Sequence, residues 1–304
     1  MRNRTVVLTG LVVLSSLSVP TPAASAAEAE VCPEVAVVTA RGSEQNDELT
    51  PMRYAPDSRW ESNGYEAENI SGLIATAAAR HLEVTGEELM TNVPVIGLDN
   101  SVYPAAMPLP ELIQDGEDVD AAVFAQRASS VLSSRSPVEI GSTAAGAFDD
   151  SLRRGVSGTP GYLQAWEEAT GCAPDYVLVG YSQGAMVLTA VEKQLAEQGR
   201  LRGVIYMGNP LLRPGDPSIV GKRVVSGGMA QAVRDRWPRE SEESPRINYC
   251  LPKDIVCDLS PETVAGQFGA KGGTHPEYYA QDSDDPSAGL VADTFAQWVT
   301  SQDS

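Results

Sequence analysis

The chain has 304 residues, 42% of them hydrophobic, and a formal net charge of -19. That length and composition suit a globular protein with a sizeable core. The acidic balance argues against a binder of nucleic acid or of anionic membranes, because like charges repel.

The first residues read as a processing signal. Arg2 and Arg4 form a basic start, Thr5 to Val19 is apolar and uncharged, Pro20 and Pro22 break it, and Ala24-Ser25-Ala26 supplies the small residues of a cleavage site. The apolar run is too short for a stop-transfer helix. Residues 1–26 are therefore expected to be a signal peptide and residues 27–304 a single secreted, extracellular domain. Removing the two arginines takes the net charge to -21. No later segment is long and apolar enough to anchor the protein, so no integral membrane span is expected.

After a polar start, Val31 to Ala40 is rich in Val and Ala and reads as a buried strand ending at Arg41-Gly42. Asn69 to Val84 carries Ile70, Leu73, Ile74, Ala77 and Ala78 at helical spacing. Asn92 to Leu98 reads as a second strand. Pro104, Pro108 and Pro110 then open an irregular stretch that runs into acidic residues up to Asp120. Ala121 to Asp150 is expected to be helical in part, and Tyr162 to Thr170 the end of a helix. Asp175 to Val179 reads as a strand. Gln183 to Gln198 reads as a helix with Ala185, Val187, Leu188, Val191 and Leu195 inward. Gly203 to Met207 and Arg246 to Leu251 read as further strands, separated by the loop-rich Gly215 to Ser244, and Ala288 to Val299 as a terminal helix. Strands alternating with helices predict an α/β three-layer sandwich around a mainly parallel sheet.

Export makes the four cysteines, Cys32, Cys172, Cys250 and Cys257, candidates for two disulfides. Three pairings are possible. Cys250 and Cys257 are near enough in sequence to close a small loop, which leaves Cys32 with Cys172. The thiols are not clustered with histidine at metal-binding spacings, so no metal site is expected.

The run Tyr176 to Ala185 contains Gly180-Tyr181-Ser182-Gln183-Gly184, which fits G-x-S-x-G. In that motif the serine occupies a strained turn between a strand and a helix, which lifts its hydroxyl clear of the sheet. The helix that follows aims its positive end at developing negative charge. The pattern alone is weak, but a predicted strand precedes it and a predicted helix follows. Ser182 is the candidate nucleophile. A serine hydroxyl needs a base, and the chain has two histidines. His81 precedes the serine within a predicted helix and reads as a surface or helix-end histidine. His275 follows it in the loop Lys271-Gly272-Gly273-Thr274-His275-Pro276. The chain order Ser, acid, His admits only His275. The acid should lie between them. Asp254, in the small loop between Cys250 and Cys257, is the best candidate because a rigid loop would hold it, and Asp258 is the main rival.

Together these residues resemble the cutinase family of α/β-hydrolases. Val31-Cys32-Pro33-Glu34 through Thr39-Ala40-Arg41-Gly42-Ser43 resembles the family's first strand and oxyanion loop. Cys172-Ala173-Pro174-Asp175 leading into Gly180 to Ala185 resembles its nucleophile segment. Gly208-Asn209-Pro210-Leu211, the Cys250 to Cys257 loop and His275 with Tyr278 resemble further segments, with Asn209 where the family often has Asp. The resemblance implies an oxyanion hole from the backbone amides of Ser43 and Gln183, the pairings Cys32–Cys172 and Cys250–Cys257, and hydrolysis of carboxylic esters by a Ser182-His275-Asp254 triad without a cofactor. The expected partner is an ester substrate such as a polyester, a lipid or an acylated small molecule, and the chain is expected to be a monomer. Extra length around residues 105–160, around 220–247 and between Asp254 and His275 bears on substrate choice. An acetylxylan esterase and a non-catalytic secreted binding protein are the rival readings.

Overall fold

The computed structural model describes residues 31–47, 49–108, 121–134, 136–266, 273–280 and 285–300. The expected signal peptide, the acidic run before Asp120 and Lys271-Gly272 lie outside them. In chain order the elements are β1 (Val35–Ala40), α1 (Ala67–Thr85), β2 (Val95–Gly97), α2 (Ala121–Ser134), α3 (Pro137–Thr170), β3 (Asp175–Tyr181), α4 (Gln183–Glu197), β4 (Leu201–Met207), β5 (Ile219–Gly221), α5 (Gln231–Arg234), β6 (Arg246–Cys250), α6 (Pro261–Gly266) and α7 (Ser287–Thr300).

The strands form one sheet in the order β2-β1-β3-β4-β6-β5, and every described pairing is parallel. Alternate side chains of each central strand enter opposite cores, as the two-residue period of a strand requires. Val35, Val37, Val177, Val179, Ile205 and Met207 pack on one face with Ile70, Leu73 and Ile74 of α1 and Val291 and Phe295 of α7. Ala36, Val38, Leu178, Val204 and Tyr206 pack on the other with Leu152 and Leu163 of α3 and Val187, Leu188 and Val191 of α4. The result is helix, sheet and helix in three layers. Covalent staples tie it at two points, Cys32–Cys172 and Cys250–Cys257. Among the described residues no helix is long and apolar enough to cross a membrane.

Several boundaries differ from expectation for identifiable reasons. β1 begins at Val35 rather than Val31, since Pro33 lacks a ladder donor. β2 shrinks to three residues behind Pro94. The stretch read as partly helical before Asp150 and the helix end after Tyr162 belong to α2 and to a single 34-residue α3 that runs through Pro160. A capping box starts α3: the Ser136 side chain accepts from the Glu139 amide while the Glu139 carboxylate accepts from the Ser136 amide. The loop-rich region from Gly215 hides β5, an edge strand too short to carry periodicity.

Chain order reverses direction across the sheet between β1 and β3. From β1 the chain goes outward to β2, and from β3 it proceeds the other way. In open parallel sheets the crevice beyond the strand C-termini at such a point is where ligands bind. Ser43 follows β1 and Ser182 follows β3, so both lie at that crevice.

Candidate active site

Ser182 stands between the last residue of β3 and the first of α4, with φ 54° and ψ -119°. A non-glycine residue in that region is strained, and the turn is held from both sides. The Ser182 amide donates to the Met207 carbonyl at 2.9 Å, and its own carbonyl accepts from the Ala185 amide at 3.1 Å. Gly184 makes the turn sterically possible, since a Cβ there would lie 1.9 Å from the Ala40 carbonyl oxygen. The first turn of α4 is thus pressed against the end of β1. A strand, a strained serine turn and a helix now stand on a parallel sheet covered by helices on both faces. This is the α/β-hydrolase type of fold.

One loop reaches the serine and a second reaches the histidine. His275 opens a short 3-10 turn, His275–Glu277. Its Nε2 lies 2.9 Å from Ser182 Oγ, and its Nδ1 lies 3.0 Å from each carboxylate oxygen of Asp254. The Asp254 side chain is fully buried. It sits in the loop closed by Cys250–Cys257, where Oδ1 accepts from the Val256 amide at 2.8 Å and Oδ2 from the Tyr278 hydroxyl at 2.6 Å. Burial, then the Asp254 carboxylate, holds the Tyr278 phenol well above its ordinary pKa. That hydroxyl therefore stays protonated and donates. Tyr181 stacks on the imidazole with ring centroids 5.0 Å apart, and its hydroxyl donates to the His275 carbonyl at 2.8 Å.

The structure therefore brings Ser182, His275 and Asp254 together and sends the other two candidates elsewhere. Asp258 is buried and accepts from the Val225 and Ser226 amides and pairs with Lys222 at 3.1 Å. His81 lies in the last turns of α1.

Gln183 opens α4, so its amide is among the helix N–H groups that have no acceptor within the helix. Its side chain is buried and faces away into a polar network. Gln183 Oε1 lies 2.9 Å from the Tyr103 hydroxyl and accepts from Ser151 Oγ at 3.2 Å, while Nε2 donates to the Ala106 carbonyl at 3.3 Å. The Tyr103 hydroxyl also lies 2.9 Å from the Arg41 carbonyl, two residues before Ser43. Arg41 itself is fully buried. Its guanidinium donates to the Leu98 carbonyl at 2.8 Å and to Asn100 Oδ1 at 2.6 Å, and it stacks on Tyr65 and Tyr103. Burial lowers its pKa, and the nearby Tyr103, Tyr65 and Asp99 partly offset that. The segment bearing Ser43 and the segment bearing Gln183 are thus joined through Tyr103.

Tyr103 and Ser151 beside Gln183, Gln45 beside the Gly42 amide, and Asn69 beside the Pro276 and Tyr278 carbonyls escaped the sequence reading. Asn69 offered one signal, a polar residue on the buried face of an apolar helical pattern.

No protein-family model and no curated protein matches the chain. Solved structures similar to it include a cutinase-like protein from Cryptococcus sp., 17% identical over 89% of this chain and 96% of that one, with a TM-score of 0.44. An acetylxylan esterase is 15% identical over 88% of this chain and 100% of that one, with a TM-score of 0.43. Lysin B from Mycobacteriophage D29 is 17% identical over 88% and 89%, with a TM-score of 0.38.

Proposed function

We propose that the chain is a secreted serine esterase that hydrolyses carboxylic esters through an acyl-enzyme. The carrying observation is the unbroken line of contacts from Ser182 Oγ to His275 Nε2 and from His275 Nδ1 to the buried Asp254 carboxylate. His275 takes the hydroxyl proton as Ser182 Oγ attacks the ester carbonyl. The amides of Ser43 and Gln183 receive the oxyanion of the tetrahedral intermediate. His275 gives its proton to the leaving alcohol as the C–O bond breaks, then takes a proton from water as that water attacks the acyl-enzyme. Collapse of the second intermediate releases the acid and returns the proton to Ser182. Asp254 faces His275 Nδ1 and fixes the imidazole tautomer.

The disulfides and the basic and apolar residues before Ala27 support export. Ser182→Ala should abolish hydrolysis of p-nitrophenyl butyrate and labelling by a fluorophosphonate. Retained turnover refutes the assignment, and a wild-type protein that fails to label favours a non-catalytic binder. Comparing p-nitrophenyl esters of increasing chain length with acetylated xylan separates a cutinase-like preference from polysaccharide deacetylation.

A further inference from the structure

The loop that carries His275 is held largely by side chains from other elements. Three of its carbonyls are occupied in this way. His275 O accepts from the Tyr181 hydroxyl, and Pro276 O and Tyr278 O accept from Asn69 Nδ2 at 3.0 and 2.7 Å. Asn69 stands at the start of α1, only 2% exposed, beside the core residues Ile70 and Leu73. Asparagine is a poor helix former, and burying an amide is costly unless its polar atoms are all used. Here they are all used, because Asn69 Oδ1 accepts from Gln45 Nε2 at 2.7 Å. Gln45 Oε1 in turn accepts from the Gly42 amide at 2.8 Å, one residue before Ser43. The amide polarity is consistent along the whole chain: Gly42 donates to Gln45, Gln45 donates to Asn69, and Asn69 donates twice to the histidine loop.

We propose that Gln45 and Asn69 are a positioning pair that locks the backbone on the oxyanion side and the histidine loop into one register. Neither touches substrate or the reacting atoms. Their effect is on the distance between the amide that receives the oxyanion and the imidazole that moves the proton. The loop after β1 and the loop bearing His275 are thereby set against each other. The proposal rests on the esterase reading above. Reaction rates respond steeply to such geometry, as a displacement of about 1 Å can cost on the order of a hundredfold.

The test uses Gln45→Leu, Asn69→Leu and the double variant, with wild type and Ser182→Ala in the same p-nitrophenyl butyrate assay. Active sites are counted by fluorophosphonate titration. The expected result is a fall in kcat per titrated site of about ten- to a hundredfold in each single variant, with KM within about twofold of wild type. The double variant should be no worse than the more damaged single one, because both break one chain of bonds. A merely structural role would lower the number of titratable sites and leave kcat per site unchanged, and that outcome overturns the proposal. Additive losses in the double variant overturn the pairing as well. If Asn69→Leu does not fold, Gln45→Leu carries the test, since Gln45 is only partly buried. An inactive wild type, or an active Ser182→Ala, brings down the esterase reading itself. An active wild type and inactive Ser182→Ala, with full-rate Gln45→Leu and Asn69→Leu variants, refute only the positioning pair.

Discussion

Gly208 follows β4 with φ at 57°, and its place beside the imidazole makes Gly208→Ala a sharp probe of the site. A Cβ there would lie 2.5 Å from His275 Cε1, 2.8 Å from Nδ1 and 3.0 Å from Asp254 Oδ2. Carbon atoms rest at about 3.5–4.0 Å, so the ring would have to retreat by roughly 1 Å. It has nowhere to go without loss. Nδ1 is held at 3.0 Å by Asp254, Nε2 faces Ser182 Oγ at 2.9 Å, and Tyr181 lies against its face. A retreat of that size stretches those contacts beyond hydrogen-bond range and should lower kcat by about a hundredfold. Separately, an alanine in the left-handed region costs about 1–2 kcal/mol, a thermal shift of a few degrees for a domain of this size. Gly86→Ala isolates the second effect. Gly86 has φ at 77° at the end of α1, with no atom within 4 Å of an added Cβ. It should lose a similar few degrees and keep wild-type kcat on p-nitrophenyl butyrate. A Gly208→Ala variant within about threefold of wild type would refute the claim that the imidazole must occupy this position.

Tyr278→Phe removes the donor to Asp254 Oδ2 and also the acceptor of the Leu251 amide at 3.0 Å, both in a fully buried place. A charge-assisted hydrogen bond is worth about 1.5–3 kcal/mol, so urea melts should show a loss of about 2 kcal/mol and steady-state kinetics a fall in kcat of about tenfold. Asp258 predicts a pH effect on stability. Burial alone would raise its pKa, but donation from the Ser226 amide, Lys222 and the Val225 amide outweighs this and the net shift is downward. The unfolded chain therefore binds the proton more readily. Asp258's contribution is complete above the ordinary aspartate value of about 3.9 and is lost as the pH falls through the lowered folded value. Asp258→Asn should be less stable at neutral pH and flatter in thermal melts across that acid window, and an acid limb identical to wild type would contradict the account.

The sheet was legible wherever a strand is buried on both faces. The Val- and Ala-rich run before Arg41, the run before Gly180 and the run before Gly208 needed no context, because parallel central strands are apolar throughout. β5 was illegible because Ile219, Val220 and Gly221 carry too little pattern, and only pairing with β6 makes them a strand. α3 was legible only at its ends, before Asp150 and after Tyr162, and its middle was missed for the opposite reason. Its local signals, Gly155, Gly158, Pro160 and Gly161, speak against a helix, but Ala144, Ser151, Leu152, Gly155, Thr159 and Leu163 form a continuous buried stripe. Packing of that stripe overrides a proline that propensity alone would take as a stop.

For the site, the same division holds between what chemistry demands and what geometry adds. Ser182 was legible because the strained turn imposes glycines around it. His275 was legible by scarcity, with two histidines in the chain and only one after the serine. The choice of Asp254 over Asp258 turned on the rigid loop closed by Cys250 and Cys257. In the structure the two aspartates four residues apart take different partners: Asp254 meets His275 and Tyr278, Asp258 meets Lys222 and the backbone at Ser226. What no linear pattern could give is the shell behind the triad. Gln45, Asn69, Tyr103 and Tyr181 come from four separate segments, and each is an ordinary polar or aromatic residue until the fold sets it against a loop carbonyl or amide. The hydroxyl, imidazole and carboxylate can be found by their chemistry; the residues bonded to the loops around them emerge only when the fold brings those segments together.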